Sequence, residues 1–527
     1  MIAPEALILA VFALATVACL LSGYPVAFGL GGAGVLVVGG LVLAAQVGLT
    51  IDGSDGWPLI EARDWRDLSP LADDTYQLMS PSGQTLLAIP LFVLMGALLH
   101  RSAVAERLLE GMQALTRALP GGLGVAVVLV GGVLAASTGV VGASVAALAV
   151  IAFPALRKQG YGPRLSAGIV TASGTLGQVI PPSIILILLA EQVGSQFQAA
   201  QITQGVFAPM AVTSGDLFRA ALIPGVLVMV GFALWAMVAG RGVRQRATED
   251  EFDPAEGLSL PDALGGMLPP LGLIVLVLGS IISGLTDTTS AASFGAMGAL
   301  VLASRSRLLL LTALGLTVAV LLWRVSGSVP VLQPLAIALF AALLITIGAS
   351  SVRAFRTGVL PAALNDALRL TGIIFAIIIG AGLFALSFKA LGGDTALRTA
   401  LMALTTASGA TDPAEAARFA LLVLLIAIFL LGFVLEFIEI IVVVLPLTLP
   451  VVFAVPPEVL DPVWAGVLIA LTLQTSFLTP PFGVALFYFR GAAKRDVSTL
   501  QLYAGVAPFI AVQVAVIALV WWLPGLI

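Results

Sequence analysis

Apolar runs of roughly 20 residues, the length that crosses a bilayer, recur along the whole chain and are separated by short polar or charged stretches. They fall at about 5–22, 25–47, 84–100, 217–240, 268–284, 288–304, 308–325, 330–348, 370–388 and 503–524. Four further regions break the pattern. Residues 122–155 and 417–451 are apolar but interrupted near their middles, by Ala136-Ser137-Thr138-Gly139 and by Gly432 to Glu439. Residues 163–190 and 463–488 each hold a polar run ending in a proline pair: Thr171 to Ser183 with Pro181 and Pro182, and Gln474 to Gly483 with Pro480 and Pro481. Adjacent prolines remove two backbone donors and push the preceding residue out of helical geometry, so each of these helices must break.

Irregular backbone at membrane depth survives only inside protein or beside a wet cavity, which makes both breaks candidate ion or solute sites. The pattern predicts an all-α polytopic membrane protein of about 12 full spans plus two re-entrant hairpins. Two inverted repeats are expected. The first covers 1–246, with hairpin 122–155 and broken helix 163–190; the second covers 268–527, with an inserted helical pair at 308–348, hairpin 417–451 and broken helix 463–488. A polar cytoplasmic linker, 247–267, joins them. A polar connecting helix is expected at 355–368.

Charge sets the orientation. The basic clusters beginning at Arg101, Arg157, Arg241, Arg305, Arg353 and Arg490 all fall on one side of this topology, which the positive-inside rule makes cytoplasmic. Both termini and the acidic 49–82 loop then lie outside. The first hairpin enters from the cytoplasm and the second from outside. Two ordinary short spans in place of the first hairpin would leave Arg157 and Lys158 on the same side; the short polar tip favours the hairpin. The first run has no charged region ahead of it and no cleavage site, so it is expected to be a retained span.

Composition sharpens the class and excludes others. Of 527 residues, 60% are hydrophobic and 10% charged, and mean hydropathy is +1.12, far outside soluble composition. A net charge of −4 without a basic, aromatic-laced cluster argues against nucleic acid. The lone cysteine, Cys19, permits no intrachain disulfide, and one histidine cannot supply a His-Glu-x-x-His metalloprotease set. No Gly-x-x-x-x-Gly-Lys-Ser/Thr loop is present, which disfavours an ATP-driven pump. An enzyme is therefore not expected, a membrane-embedded one standing only as a remote alternative.

The breaks suggest their own chemistry. Na⁺ takes oxygen ligands, and unwound helix offers carbonyls beside Ser and Thr hydroxyls without a formal charge. Ser137, Thr138 and Gly139 at the first tip, facing Ser173, Thr175, Gly177 and Gln178, form one candidate cage. Gly432 and Phe433 at the second tip, facing Thr475, Ser476 and Thr479, form the other. Taken singly, such residues are ordinary helix-packing positions; the repeated pairing of hairpin and break favours function. Glu436 and Glu439, three apart on one expected helical face, are costly inside a membrane, and Glu436 is the candidate coupling or substrate group. Solvation at the segment end is the other reading, equally weighted for Glu439. His100, at a span end, is expected to be interfacial. No cofactor is expected apart from Na⁺ as the coupling ion.

With these residues in place the chain resembles the large membrane subunit of tripartite ATP-independent periplasmic (TRAP) transporters, the DctM family. The resemblance covers nearly the whole chain. It is carried by Gly23-Tyr24-Pro25-Val26-Ala27, Ile89 to Gly96, Ala105-Glu106-Arg107-Leu108, Pro120-Gly121-Gly122-Leu123, Gly160-Tyr161 with Ile180-Pro181-Pro182-Ser183, and Thr479-Pro480-Pro481-Phe482-Gly483. It implies an elevator-type secondary transporter in the bacterial inner membrane, coupled to Na⁺ and moving organic acids. It also implies a small four-helix membrane subunit of the DctQ type, expected as a separate chain, and a periplasmic substrate-binding protein of the DctP type. Three departures stand out. Leu435-Glu436 replaces the usual Leu-Asp, as in a subgroup labelled for mannitol, chloroaromatic or 2-oxo acid uptake. Thr286 to Ala292 replaces a Thr-Pro-Thr-Glu-Ala-Ala stretch, and the 308–348 pair is additional. The nearest alternative is a stand-alone dicarboxylate or ion transporter of the same superfamily.

Overall fold

The computed structural model describes residues 4–47, 84–102, 104–138, 141–242, 259–304, 333–407, 412–456, 459–493 and 496–527, with 312, 315 and 409 singly. Among them the chain is helical, with no strand. The helices in order are α1 (Pro4–Leu21), α2 (Val26–Gln46), α3 (Gln84–Arg101), α4 (Val104–Thr116), α5 (Gly122–Thr138), α6 (Val141–Lys158), α7 (Pro163–Thr175), α8 (Ile184–Thr203), α9 (Ser214–Gly240) and α10 (Leu260–Ile282). There follow α11 (Thr288–Ala303), α12 (Gln333–Arg356), α13 (Val359–Ala390), α14 (Gly393–Ala407), α15 (Pro413–Leu431), α16 (Leu445–Val452), α17 (Pro462–Leu478), α18 (Val484–Ala492) and α19 (Thr499–Trp522).

Eight of these helices are long and apolar enough to cross a membrane, nine if α3 and α4, bent by 68° at their junction, count as one. The protein is therefore a multi-span membrane protein. Shorter apolar helices include Leu7–Leu20 and Thr288–Ala303, both expected as full spans, and the hairpin and break segments Gly122–Ala135, Phe437–Val452 and Pro462–Leu478.

Both breaks appear where the proline pairs require them. The first helix stops at Thr175, tightens into a 3₁₀ turn at Leu176–Gln178 and resumes at Ile184; the second stops at Leu478 and resumes at Val484. The first hairpin segment is split between α5, which runs on to Thr138, and α6, itself among the eight helices long enough to cross. The second is interrupted over 432–436, more narrowly than expected, then runs through Phe437–Glu439 and a π turn, Ile440–Val444, into α16.

Three boundaries differ from the sequence reading. The arm expected at 355–368 and the span at 370–388 form one continuous helix, α13; the stop falls before it, at Gly358, whose φ of +78° suits glycine. Helix α12 runs on to Arg356, past the expected 348. Helix α10 starts at Leu260, inside the expected linker, because the Ser259 hydroxyl accepts the Asp262 amide at 3.3 Å and caps it. The 49–82 loop, most of the 308–325 run, most of the linker and Gly139 lie outside the described residues.

The chain divides into two compact units, each built from three segments. Unit one comprises 1–87, 187–217 and 370–476. Within it, α2 and α13 approach closely through small residues: a Cβ at Gly380 would stand 2.1 Å from the Ala27 carbonyl oxygen. Phe12 packs at 4.9 Å from Phe384, and Phe197 meets Phe453 edge-on at 5.3 Å. Unit two comprises 88–186, 218–369 and 477–527. Its core is α7, surrounded by α5, α6 and α19. Glycines permit this crowding, since a Cβ at Gly168 would meet the Gly505 carbonyl oxygen at 2.2 Å and one at Gly174 would meet Val145 at 2.4 Å. At the edge of this unit, Arg101 grips Asp366 of α13 through two parallel hydrogen bonds, Nε to Oδ2 at 2.6 Å and Nη2 to Oδ1 at 2.9 Å.

Candidate functional site

In unit two the first hairpin lies directly against the first break. The α5 arm reaches the 3₁₀ turn so closely that a Cβ at Gly177 would stand 2.1 Å from the Ala135 carbonyl oxygen. One turn earlier a Cβ at Gly131 would stand 2.5 Å from the Ser173 Cβ. Ser173, Thr175, Gly177 and Gln178 are all fully buried. Ser137 and Thr138 end α5. The structure thus brings the α5 arm against Ser173 and Gly177, two of the residues expected in the first cage.

The polar atoms of this break are arranged to accept. The Thr171 hydroxyl donates to the Ala167 carbonyl at 2.7 Å, Ser173 to Ile169 at 2.6 Å and Thr175 to Ala172 at 2.8 Å. Each hydroxyl proton is thereby committed to the helix, leaving oxygen lone pairs for any ligand. Pro181 and Pro182 offer no N–H to the Gly177 and Gln178 carbonyls. Ser183 partly compensates, its hydroxyl donating to the Gln178 carbonyl at 3.2 Å. The proline pair therefore frees fewer oxygens than the break alone suggests. The Gln178 side chain is different: both amide atoms are buried without a hydrogen-bond partner.

In unit one the second tip meets the second broken helix. A Cβ at Gly432 would stand 2.2 Å from the Ser476 hydroxyl oxygen. The Ser476 hydroxyl donates to the Leu473 carbonyl and that of Thr475 to Leu471, both at 2.8 Å. Phe433 packs edge-on against Phe429 of its own arm at 5.2 Å. Gln474, fully buried, again holds an amide without partners. Thr479, Pro480 and Pro481 follow in unit two, where the Tyr503 hydroxyl donates to the Pro481 carbonyl at 3.0 Å.

The two glutamates occupy other positions than expected. Glu436 has extended backbone (φ −75°, ψ 165°) and is the N-cap of Phe437–Glu439, so it does not share a helical face with Glu439. The two form a reciprocal capping box, the Glu439 carboxylate accepting from the Glu436 amide and the Glu436 side chain from the Glu439 amide. Glu439 is 3% exposed, which removes the solvated-end reading; Glu436 is half-buried. A helix starting from an unwound tip needs such caps, and the Glu-x-x-Glu spacing supplies them. His100 lies in the last turn of α3, with its Nε2 buried and without a partner.

Sequence reasoning passed over Gln513, on α19, which is 1% exposed and has neither amide atom paired. The available signal was a lone amide inside an apolar run, the same signal that marks Gln178 and Gln474. The Thr286-to-Ala292 stretch is spoken for locally: the Asp287 carboxylate caps α11, accepting the Thr289 and Ser290 amides at 3.1 and 3.0 Å and the Ser290 hydroxyl at 2.5 Å. Among the described residues no cluster of three or more His, Cys, Asp or Glu could hold a metal.

Comparison with known proteins covers this whole arrangement. The family model described as "Tripartite ATP-independent periplasmic transporter, DctM component" matches residues 13–311 and 304–526. The C4-dicarboxylate TRAP transporter large permease protein DctM of Vibrio cholerae is 24% identical over 501 residues, 93% of this chain and 94% of that protein. That of Rhodobacter capsulatus is 31% identical over 222 residues, 40% of this chain; there the match spans only 47% of the relative's length. Among solved structures, the YdaH transporter of Alcanivorax borkumensis superposes with a TM-score of 0.57 at 13% identity, covering 94% of this chain and 98% of that one. That likeness concerns the fold.

Proposed function

Because the chain belongs to the family of DctM components of tripartite ATP-independent periplasmic transporters, we propose that it works as the large membrane subunit of a secondary transporter that couples inward Na⁺ movement to organic-acid uptake. The observation that carries this reading is the pairing of hairpin and break in each unit: Gly177 against Ala135 in one, Gly432 against Ser476 in the other. Two breaks lined by hydroxyls with committed protons offer neutral, oxygen-rich surroundings suited to a monovalent cation. The Na⁺ ligands we assign are Ser137, Thr138 and Gly139 with Ser173, Thr175, Gly177 and Gln178, and Gly432 and Phe433 with Thr475, Ser476 and Thr479.

On this reading the chain sits in a bacterial inner membrane as two inverted repeats, with both termini periplasmic. The hairpins and broken helices move together as an elevator. A periplasmic binding protein delivers the substrate, a carboxylate of the 2-oxo acid type, and a small four-helix subunit assembles beside the chain. Glu436, half-buried at the second tip, is the coupling or substrate group on this reading.

Reconstitution tests the proposal. Proteoliposomes holding the chain and the small subunit should take up organic acid only with the binding protein and a Na⁺ gradient. Thr138→Ala or Ser476→Ala should raise the Na⁺ concentration for half-maximal uptake about tenfold, the equivalent of one weakened ligand. Unchanged Na⁺ dependence in both variants overturns the cage assignment. Uptake that needs no binding protein points to the stand-alone transporter instead.

A further inference from the structure

Within unit two, α7 and α19 lie backbone to backbone at one end and are lined with polar atoms further along. Contact begins where a Cβ at Gly505 would meet the Arg164 carbonyl oxygen at 2.2 Å and the Gly168 nitrogen at 3.2 Å. The Arg164 guanidinium donates from Nε to the Ala504 carbonyl at 3.1 Å. The Phe509 ring reaches Gly168, so the two helices advance in the same direction from this crossing. On α7 and the 3₁₀ turn, Gly168, Thr171, Thr175 and Gln178 follow at spacings of three and four and share one face. On α19 the buried stripe is Gly505, Phe509, Gln513 and Val516. Helix α9 fixes the level independently. It packs Gly231 on Val512 and Phe232 edge-on against Phe509, and further toward its start sets Gly225 against the Val179 carbonyl of the break. The break and Gln513 are therefore at neighbouring levels, about two turns of helix beyond the glycine crossing.

The side-chain amides of Gln178 and Gln513 thus lie at neighbouring levels, both essentially inaccessible and both without a partner at either atom. An unpaired buried amide atom costs as much as a lost hydrogen bond, so two whole amides call for a ligand. The flanking Thr171 and Thr175 hydroxyls have given their protons to backbone carbonyls, so they present only lone pairs. Beyond Arg164, whose guanidinium is held at the glycine crossing, the residues named on this face carry no charge. A neutral set of four oxygens suits a monovalent cation and is poor for a divalent one, which needs carboxylates. Waters retained by the ion would accept from the two amide N–H₂ groups.

We propose that Gln513 is an ion-binding residue: with Gln178, Thr171 and Thr175 it lines a site for one partly hydrated Na⁺ on the α19 side of the first break. This rests on the Na⁺-coupled reading above and extends it to a helix outside both candidate cages. The test is thermal unfolding of the purified chain in detergent, followed by tryptophan fluorescence, as NaCl replaces choline chloride at constant ionic strength. Wild type should gain stability with Na⁺. Gln513→Leu should melt at least as high as wild type in choline, because two unpaired amide atoms are gone, yet need about tenfold more Na⁺ for the half-maximal shift. Gln513→Asn, which keeps the amide but withdraws it, should show the same Na⁺ defect and guards against misfolding of the leucine variant. If both variants respond to Na⁺ as wild type does while Thr138→Ala does not, the Gln513 site is overturned and the coupled reading stands. If wild type shows no Na⁺-specific shift, both fall together.

Discussion

At the scale of single residues, the positions without side chains explain most about the site. Gly177 lies in the first break and Gly432 at the second tip, each at a close approach of tip arm and broken helix, yet their neighbours differ. The Cβ of Gly177→Ala would press on a backbone carbonyl, which cannot swing away, and should cost about 1–3 kcal/mol as overpacking. That of Gly432→Ala would press on the Ser476 hydroxyl and Cβ. Adding Ser476→Ala should recover part of the loss, so the double variant should melt higher than the sum of the single losses allows. Chemical denaturation or thermal melts of the four proteins decide this, and strict additivity contradicts the contact. Much of this was legible, because small and hydroxylated residues beside proline pairs stand out in apolar sequence. The reciprocal capping of Glu436 and Glu439 was not, because charge within a membrane segment suggests ligands before it suggests helix ends. Replacing Glu439 with Ala should cost about 1 kcal/mol, and Glu439→Gln, which keeps an acceptor for the Glu436 amide, clearly less.

At the scale of elements, helix ends decided where the sequence reading went astray. Polar residues near 365 suggested a separate arm, yet nothing between Val359 and Ala390 stops a helix. Polar character marks what a helix faces and leaves its continuity untouched. At about 1.5 Å per residue, α13 reaches about 48 Å, well beyond the ~30 Å hydrocarbon core. Its polar residues Asn365 and Asp366 fall in the first turns, where Asp366 meets Arg101. Because the pair is partly exposed, Asp366→Ala should change stability by no more than about 1 kcal/mol. The cap of α11 offers a sharper test. Hydrogen bonding from Ser290 holds the Asp287 carboxyl below its ordinary pKa. A lowered folded-state pKa means the stabilisation is complete above the unfolded value, about 4, and lost as pH falls through the folded one. Asp287→Ala should lose about 0.5–1 kcal/mol near neutral pH, and its gap from wild type should close below about pH 4. A gap that persists in acid shows that the carboxylate is not the cap.

At the scale of the whole molecule, the two helix breaks were legible because a proline pair inside an apolar run forces a membrane helix to stop and restart. The grouping of helices was not. Each compact unit takes segments from both sides of the 247–267 linker, and such long-range association leaves no periodic trace in sequence. Orientation can be tested directly. After Cys19 is replaced, single cysteines placed in the 49–82 loop should react with an impermeant thiol reagent applied from outside, and those at 241–260 should not; the reverse outcome inverts the topology.

The threefold segmentation of each unit bears on how the protein is made. Unit one lacks its last segment until residue 476 has been synthesised, and unit two until 527. Helices such as α2 and α7 must therefore wait in the bilayer, with their glycine-lined faces unmatched, for partners that emerge hundreds of codons later. Late closure of distant contacts is slow and leaves nascent chains open to misassembly. Mild lesions in α17 or α19 should thus reduce the amount of protein that accumulates more than they weaken the finished transporter, a burden that falls on translation speed and membrane quality control.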